Sequence, residues 1–225
     1  RRPAELCGQC HTAELSALGD PVLHPQNEML HGEGGYGQDG QPMSGPFSRK
    51  IAASLDRIAA DPVLHTAIGY WDSLRGTAAV PPRMALDPAV MRPYLSRSAI
   101  LELPRPGTVR LRLGGARISA FMGMEVRGMP LRSLFDLADR SRINVAVERA
   151  IEAPAILLVD AVSPAPRYGD GPEARLTTQI AILPLTDNDL ALTRALYIMG
   201  EIGGCDAHGP TTHRWSVRGL TSIKV

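Results

Sequence analysis

Val109, Leu111 and Leu113 alternate with Arg110 and Arg112, and Gly114-Gly115 ends the run. Successive strand side chains point to opposite faces, so this segment must present one apolar and one wet side. Such a strand needs a sheet to lie in and a layer to cover it. Residues 98–103 precede it across Pro104-Arg105-Pro106-Gly107, a turn by composition. Short helices are expected over 118–122 and 131–137. A longer one is expected over 141–151, with Ile143, Ala146, Val147, Ala150 and Ile151 on one side and Pro154 beyond its end. Strand-like runs at 155–162, 175–183 and 191–201 follow, joined by hairpin-like links. The expectation is an α+β module: a five-stranded antiparallel sheet with helices on one face. Leu111, Leu113, Leu157, Ile180, Ile182, Leu196 and Ile198 would form its buried side, in a register that a one-residue slip would invert.

Upstream of the sheet, Ser48 can cap a helix carrying Ile51, Ala52, Leu55, Ile58 and Ala59 on one face. Asp61-Pro62 opens another, with Asp as cap and Pro at the first helical position. Its stripe is Val63, Leu64, Ala67, Ile68, Trp71 and Leu74, and Arg75-Gly76 closes it. Asp87-Pro88 repeats the start signal for a short helix bearing Val90, Met91 and Tyr94. Residues 32–42 are too Gly-rich for helix or strand. The expected division is a Cys/His- and Gly-rich segment at 1–47, helices at 48–76 and the sheet domain at 77–225. The stripes of the two helices, with Ile51, Leu55, Ile58, Ile68 and Trp71, must cover either the sheet or a second copy of the chain, and a homodimer is expected.

Lys+Arg 24 against Asp+Glu 23 leaves a net charge of +1, without bulk attraction for nucleic acid or an acidic membrane. No apolar run is long enough for a membrane span, and no apolar leader follows Arg1-Arg2-Pro3. Three cysteines do not make a secreted disulfide framework, so a reducing cytoplasm is expected.

Several short stretches stand in an order with a precedent. Trp71-Asp72-Ser73-Leu74-Arg75-Gly76 leads to Pro82-Arg83 and Asp87-Pro88. Arg112-Leu113-Gly114-Gly115-Ala116, Phe121-Met122-Gly123-Met124-Glu125, Gly128-Met129-Pro130-Leu131 and finally residues 220–225 follow. From about residue 61 to the end, this resembles a bacterial single-domain branch of the PAS superfamily, first catalogued as a domain of unknown function. The resemblance implies a regulatory, non-enzymatic protein that senses or relays through contacts with a protein partner, and it brings no catalytic motif. It also implies a place for a small apolar ligand between sheet and helices. Leu111, Leu113, Phe121, Met122, Phe135, Ile143, Val147, Ile180, Ile182 and Ile198 are the expected lining.

A second motif points elsewhere. Cys7-x-x-Cys10-His11 fits covalent c-type haem attachment, with His11 on the iron; that reading would move the protein to the periplasm. The same cysteines with His24 and His31 offer two thiolates and two imidazoles to zinc, at a spacing just outside the usual finger. An unmetallated pair is the third reading. The alternative function is therefore a metal- or haem-bearing redox or electron-transfer module. Cys205, near His208 and His213, reads as a turn residue. No nucleotide, kinase or hydrolase signature occurs.

Overall fold

The computed structural model describes residue 51 and residues 61–164, 175–203 and 213–225. Helix α1, Pro62–Arg75, begins as its sequence dictates: the Asp61 carboxylate accepts from the Val63 amide at 2.8 Å, and Pro62 needs no amide partner. Gly76 ends it at φ 56°, a left-handed value that a Cβ would disfavour. The chain then runs through turns and two 3-10 segments, Arg83–Ala85 and Leu95–Arg97. The helix expected after Asp87-Pro88 is instead a series of turns. Asp87 still caps, accepting from the Ala89 amide at 2.8 Å, but Pro93 has no amide to continue a helical ladder.

Six strands follow: β1 Ser98–Arg105, β2 Thr108–Gly114, β3 Ala155–Pro164, β4 Arg175–Leu185, β5 Arg194–Met199 and β6 Ser216–Lys224. Between β2 and β3 lie α2 (Ala116–Met122), a 3-10 turn at Leu131–Leu134 in place of the expected helix, and α3 (Arg140–Glu152). The sheet order is β2-β1-β5-β4-β3-β6, antiparallel throughout. The α+β reading stands, and the sheet gains a sixth strand. β6 pairs with β3 from Ala155↔Lys224 to Val162↔Ser216, although its side chains alternate only weakly. Backbone groups make that pairing, and the free edge of β3 supplies them.

Helices cover both faces rather than one. The inner face lies under α2, the 3-10 turn and α3, with Leu101, Leu111, Met122, Ile143, Val147, Ile180 and Ile182 in its cluster. The outer face lies under α1 and residues 80–94, with Leu64, Ile68, Trp71, Met91 and Tyr94 packed on Leu183, Leu196 and Ile198. The buried stripe of α1 is thus engaged by the chain's own sheet, and the Trp71 indole donates to the Pro184 carbonyl at 2.9 Å.

Three expected members of the single buried side change place. Leu196 and Ile198 alternate with the inward Ala195, Tyr197 and Met199 and so face the outer side of β5, a strand buried along nearly all its length. Without polar alternation, such a strand carries no sign of which residue faces which way. Leu113 is moved by a bulge. Ile100 pairs with Leu113 but Leu101 with Leu111, so Arg112 is the extra residue. The alternation breaks there, leaving Leu111 fully buried and Leu113 47% exposed.

Candidate functional site

The inner face brings together eight of the ten expected lining residues: Leu111, Phe121, Met122, Phe135, Ile143, Val147, Ile180 and Ile182. Ile198 and Leu113 are the exceptions, for the register reasons above. Sequence reasoning missed Tyr197. It stands on β5 between Ala99 of β1 and Ile182 of β4, fully buried in the inner cluster. Its hydroxyl has no hydrogen-bond partner among the described residues. Burial pushes its pKa well above the ordinary phenol value, because a phenolate could not be solvated there. The available signal was a lone polar atom in the otherwise apolar run 195–199.

An aromatic stack closes one end of this face. Phe121 of α2 lies on Trp215 at 4.1 Å between centroids and 7° between planes, and the His213 ring stacks on Phe121 at 5.1 Å. Trp215 is tied by its backbone to Leu134 and Asp136, at 2.9 Å each. The Asp136 carboxylate then accepts from the Ser216 hydroxyl, and the Asp139 carboxylate accepts from the Val217 amide at 2.9 Å. Carboxylates between the 3-10 turn and α3 therefore hold the start of β6 in place.

The outer face is built differently. Its irregular cover is fastened at few points. The Thr186 amide donates to the Pro81 carbonyl, and the Arg83 amide donates back to Thr186. The Asp87 amide donates to the Tyr70 hydroxyl at 2.7 Å. Asp61 reaches the far end of β5 by accepting from the Glu201 amide, while Arg97 pairs with the Glu201 carboxylate at 2.9 Å. The stretch from Trp71 to Pro88 is thus a docking device for α1 and the segment after it. Beneath that segment is a cavity of about 250 Å³, walled mainly by apolar side chains from residues 86–100 and by Leu113. Tyr94 is buried nearby with its hydroxyl unpartnered among the described residues, and burial pushes its pKa up to about 12, with Tyr70 adding to the shift.

Cys7, Cys10, His11, His24 and His31 lie outside the described residues, as do Cys205 and His208. Among the described residues no group of three His, Cys, Asp or Glu side chains could hold a metal ion. No helix there is long and apolar enough to cross a membrane.

Residues 60–199, more than half of the chain, match the family model described as PAS domain. No curated protein and no solved structure matches the chain.

Proposed function

Because the chain belongs to the PAS domain family, for which a sensory or regulatory role is the general expectation, we propose that it is a non-enzymatic sensor-adaptor. In this reading a small, mostly apolar molecule lodges between the inner face and α2–α3, which part from the closely packed strands to admit it, with an acceptor atom on the Tyr197 hydroxyl. The consequence is passed on by contact with a protein partner. Tyr197 carries the reading. A buried hydroxyl normally has a partner, and one left unpaired forfeits roughly 1–3 kcal/mol of solvation. A bound acceptor would recover part of that. Leu111, Met122, Val147 and Ile182, in the same cluster as Tyr197, suit an apolar body, and Met adapts to varied shapes. The buried stripe of α1 is spent on its own sheet, so a homodimer, also part of this reading, would use another surface. Zinc on Cys7, Cys10, His24 and His31 rests on donor chemistry alone, and metal content per chain measures it.

Tyr197→Phe tests the ligand reading, since it keeps the ring and removes only the hydroxyl. The ligand-free variant should be as stable as the parent or slightly more so. In thermal melts against a panel of small apolar ketones and lactones, the parent should be stabilised and the variant less so, by about 1 kcal/mol of binding. Equal responses of both proteins across the panel would remove Tyr197 from the site.

A further inference from the structure

The cavity on the outer face lies across the sheet from Tyr197 and is independent of that reading. Its walls are Leu86, Met91, Leu95, Ile100 and Leu113, together with the Gly114-Gly115 backbone. The polar groups beside them are already engaged: the Gly115 amide donates to the Ser98 carbonyl at 2.8 Å, and the Ser98 hydroxyl donates to the Tyr94 carbonyl at 2.9 Å. Water needs two to four polar partners to settle in a cavity, and this lining offers few. At the rim, Leu95 is 44% and Leu113 47% exposed. The bulge at Arg112 is what turns Leu113 toward this space, and bulges commonly re-aim a side chain beside a site.

One charged residue lines the cavity, Arg83. Its backbone is held by the Thr186 carbonyl and by the Leu86 amide, so its position is set. Its exposed guanidinium has no ion-pair partner among the described residues. A planar fork of donors matches the two oxygens of a carboxylate. A phosphate dianion would call for a second cation, and no other lines the cavity. A volume of about 250 Å³ corresponds to roughly eight water-sized units, enough for an alkyl chain of about seven or eight carbons.

We propose that this cavity is a second binding site, for a medium-chain carboxylate whose alkyl tail fills the apolar space and whose headgroup pairs with Arg83 at the rim. Such a ligand would brace the irregular cover against the sheet, coupling its presence to the position of residues 83–97.

Calorimetric titration of the full chain with octanoate and with 1-octanol tests this. Octanoate should bind, and Arg83→Gln should weaken it about tenfold, the scale of one lost charge-assisted bond, while leaving 1-octanol unchanged. Leu113→Trp should abolish binding of both by filling the space; Leu95→Trp, at the other exposed rim position, replaces it if that variant does not fold. Tyr197→Phe should change neither, which separates this site from the inner one. Absence of octanoate binding at millimolar concentration overturns the proposal, as does unchanged affinity in Arg83→Gln or in the Trp variant. Loss of binding in Tyr197→Phe overturns it by placing the ligand on the inner face.

Discussion

The two faces of this sheet are covered by opposite means. The inner face is roofed largely by the helices and the 3-10 turn between β2 and β3, whose own hydrogen bonds satisfy most of their backbone. They can settle closely on the strands, and the large apolar side chains there are almost wholly buried. The outer face is roofed by α1 and then by turns whose amides must find separate partners, such as Tyr70, Thr186 and Asp87. A cover that must keep those bonds cannot also shape itself to every side chain below. The cavity lies under that irregular part, not under α1, where Trp71, Leu64 and Ile68 are fully buried. The lesson is that regular elements leave backbone out of the packing problem, whereas irregular ones trade packing against hydrogen bonding.

Trp71→Ala makes the largest test of that difference. Loss of the ring and of its bond to Pro184 should remove about 3–5 kcal/mol of stability, measured by denaturant unfolding. Native-state hydrogen exchange should then quicken through 62–75 and 83–97 well before it quickens in α3. Equal acceleration on both faces would show one cooperative unit and break the distinction.

Gly114 and Gly115 sharpen it, because adjacent substitutions press on opposite faces. A Cβ on Gly115 would lie 2.7 Å from the Leu95 carbonyl oxygen and closer still to that of Ser96, both backbone of the outer cover. A Cβ on Gly114 would strike the Val126 side chain of the inner cluster. Side chains can rotate aside and this backbone cannot. Gly115→Ala should therefore lower stability by about 1–3 kcal/mol and Gly114→Ala by less, as read from the two unfolding midpoints. The reverse order would mean that the inner face is the less yielding one.

The smallest effect is expected where the faces meet. Leu192 packs against both clusters, at the end of a hairpin organised by Asp187. That carboxylate accepts from the Thr193 hydroxyl at 2.7 Å and from the Asp189 and Ala191 amides, which together hold its pKa below the ordinary value. A depressed pKa means the ionised form favours the folded turn. Its contribution is full above the unfolded value near 4 and fades as pH falls through the folded one. Amide protection of residues 187–193, compared at pH 6 and pH 3, should drop by a small factor that Asp187→Asn no longer shows.

Local chemistry was legible wherever one residue type decides an outcome. Asp61-Pro62 and Gly76 bound α1, the Pro106-Gly107 turn makes the first hairpin, and the Leu/Arg alternation marks β2. The order of strands and helices, with the stretch from Trp71 to Pro88, carries the PAS resemblance in the sequence alone. The burial of Phe121, Met122, Ile143 and Val147 on the inner face followed, because they sit on helices whose period declares their buried side. Tyr197 did not, because its whole strand is buried and a run without alternation names no face.

By itself, then, the sequence determined where α1 and the first hairpin begin and end, which stripe of α1 is apolar and that the fold is α+β. Only the tertiary structure decided that Leu113 belongs to the outer face, that β6 joins β3 and that α1 lies across the sheet from α3. Those outcomes depend on pairing between distant backbones. A one-residue bulge or an open strand edge changes the partner without changing the residues that display it.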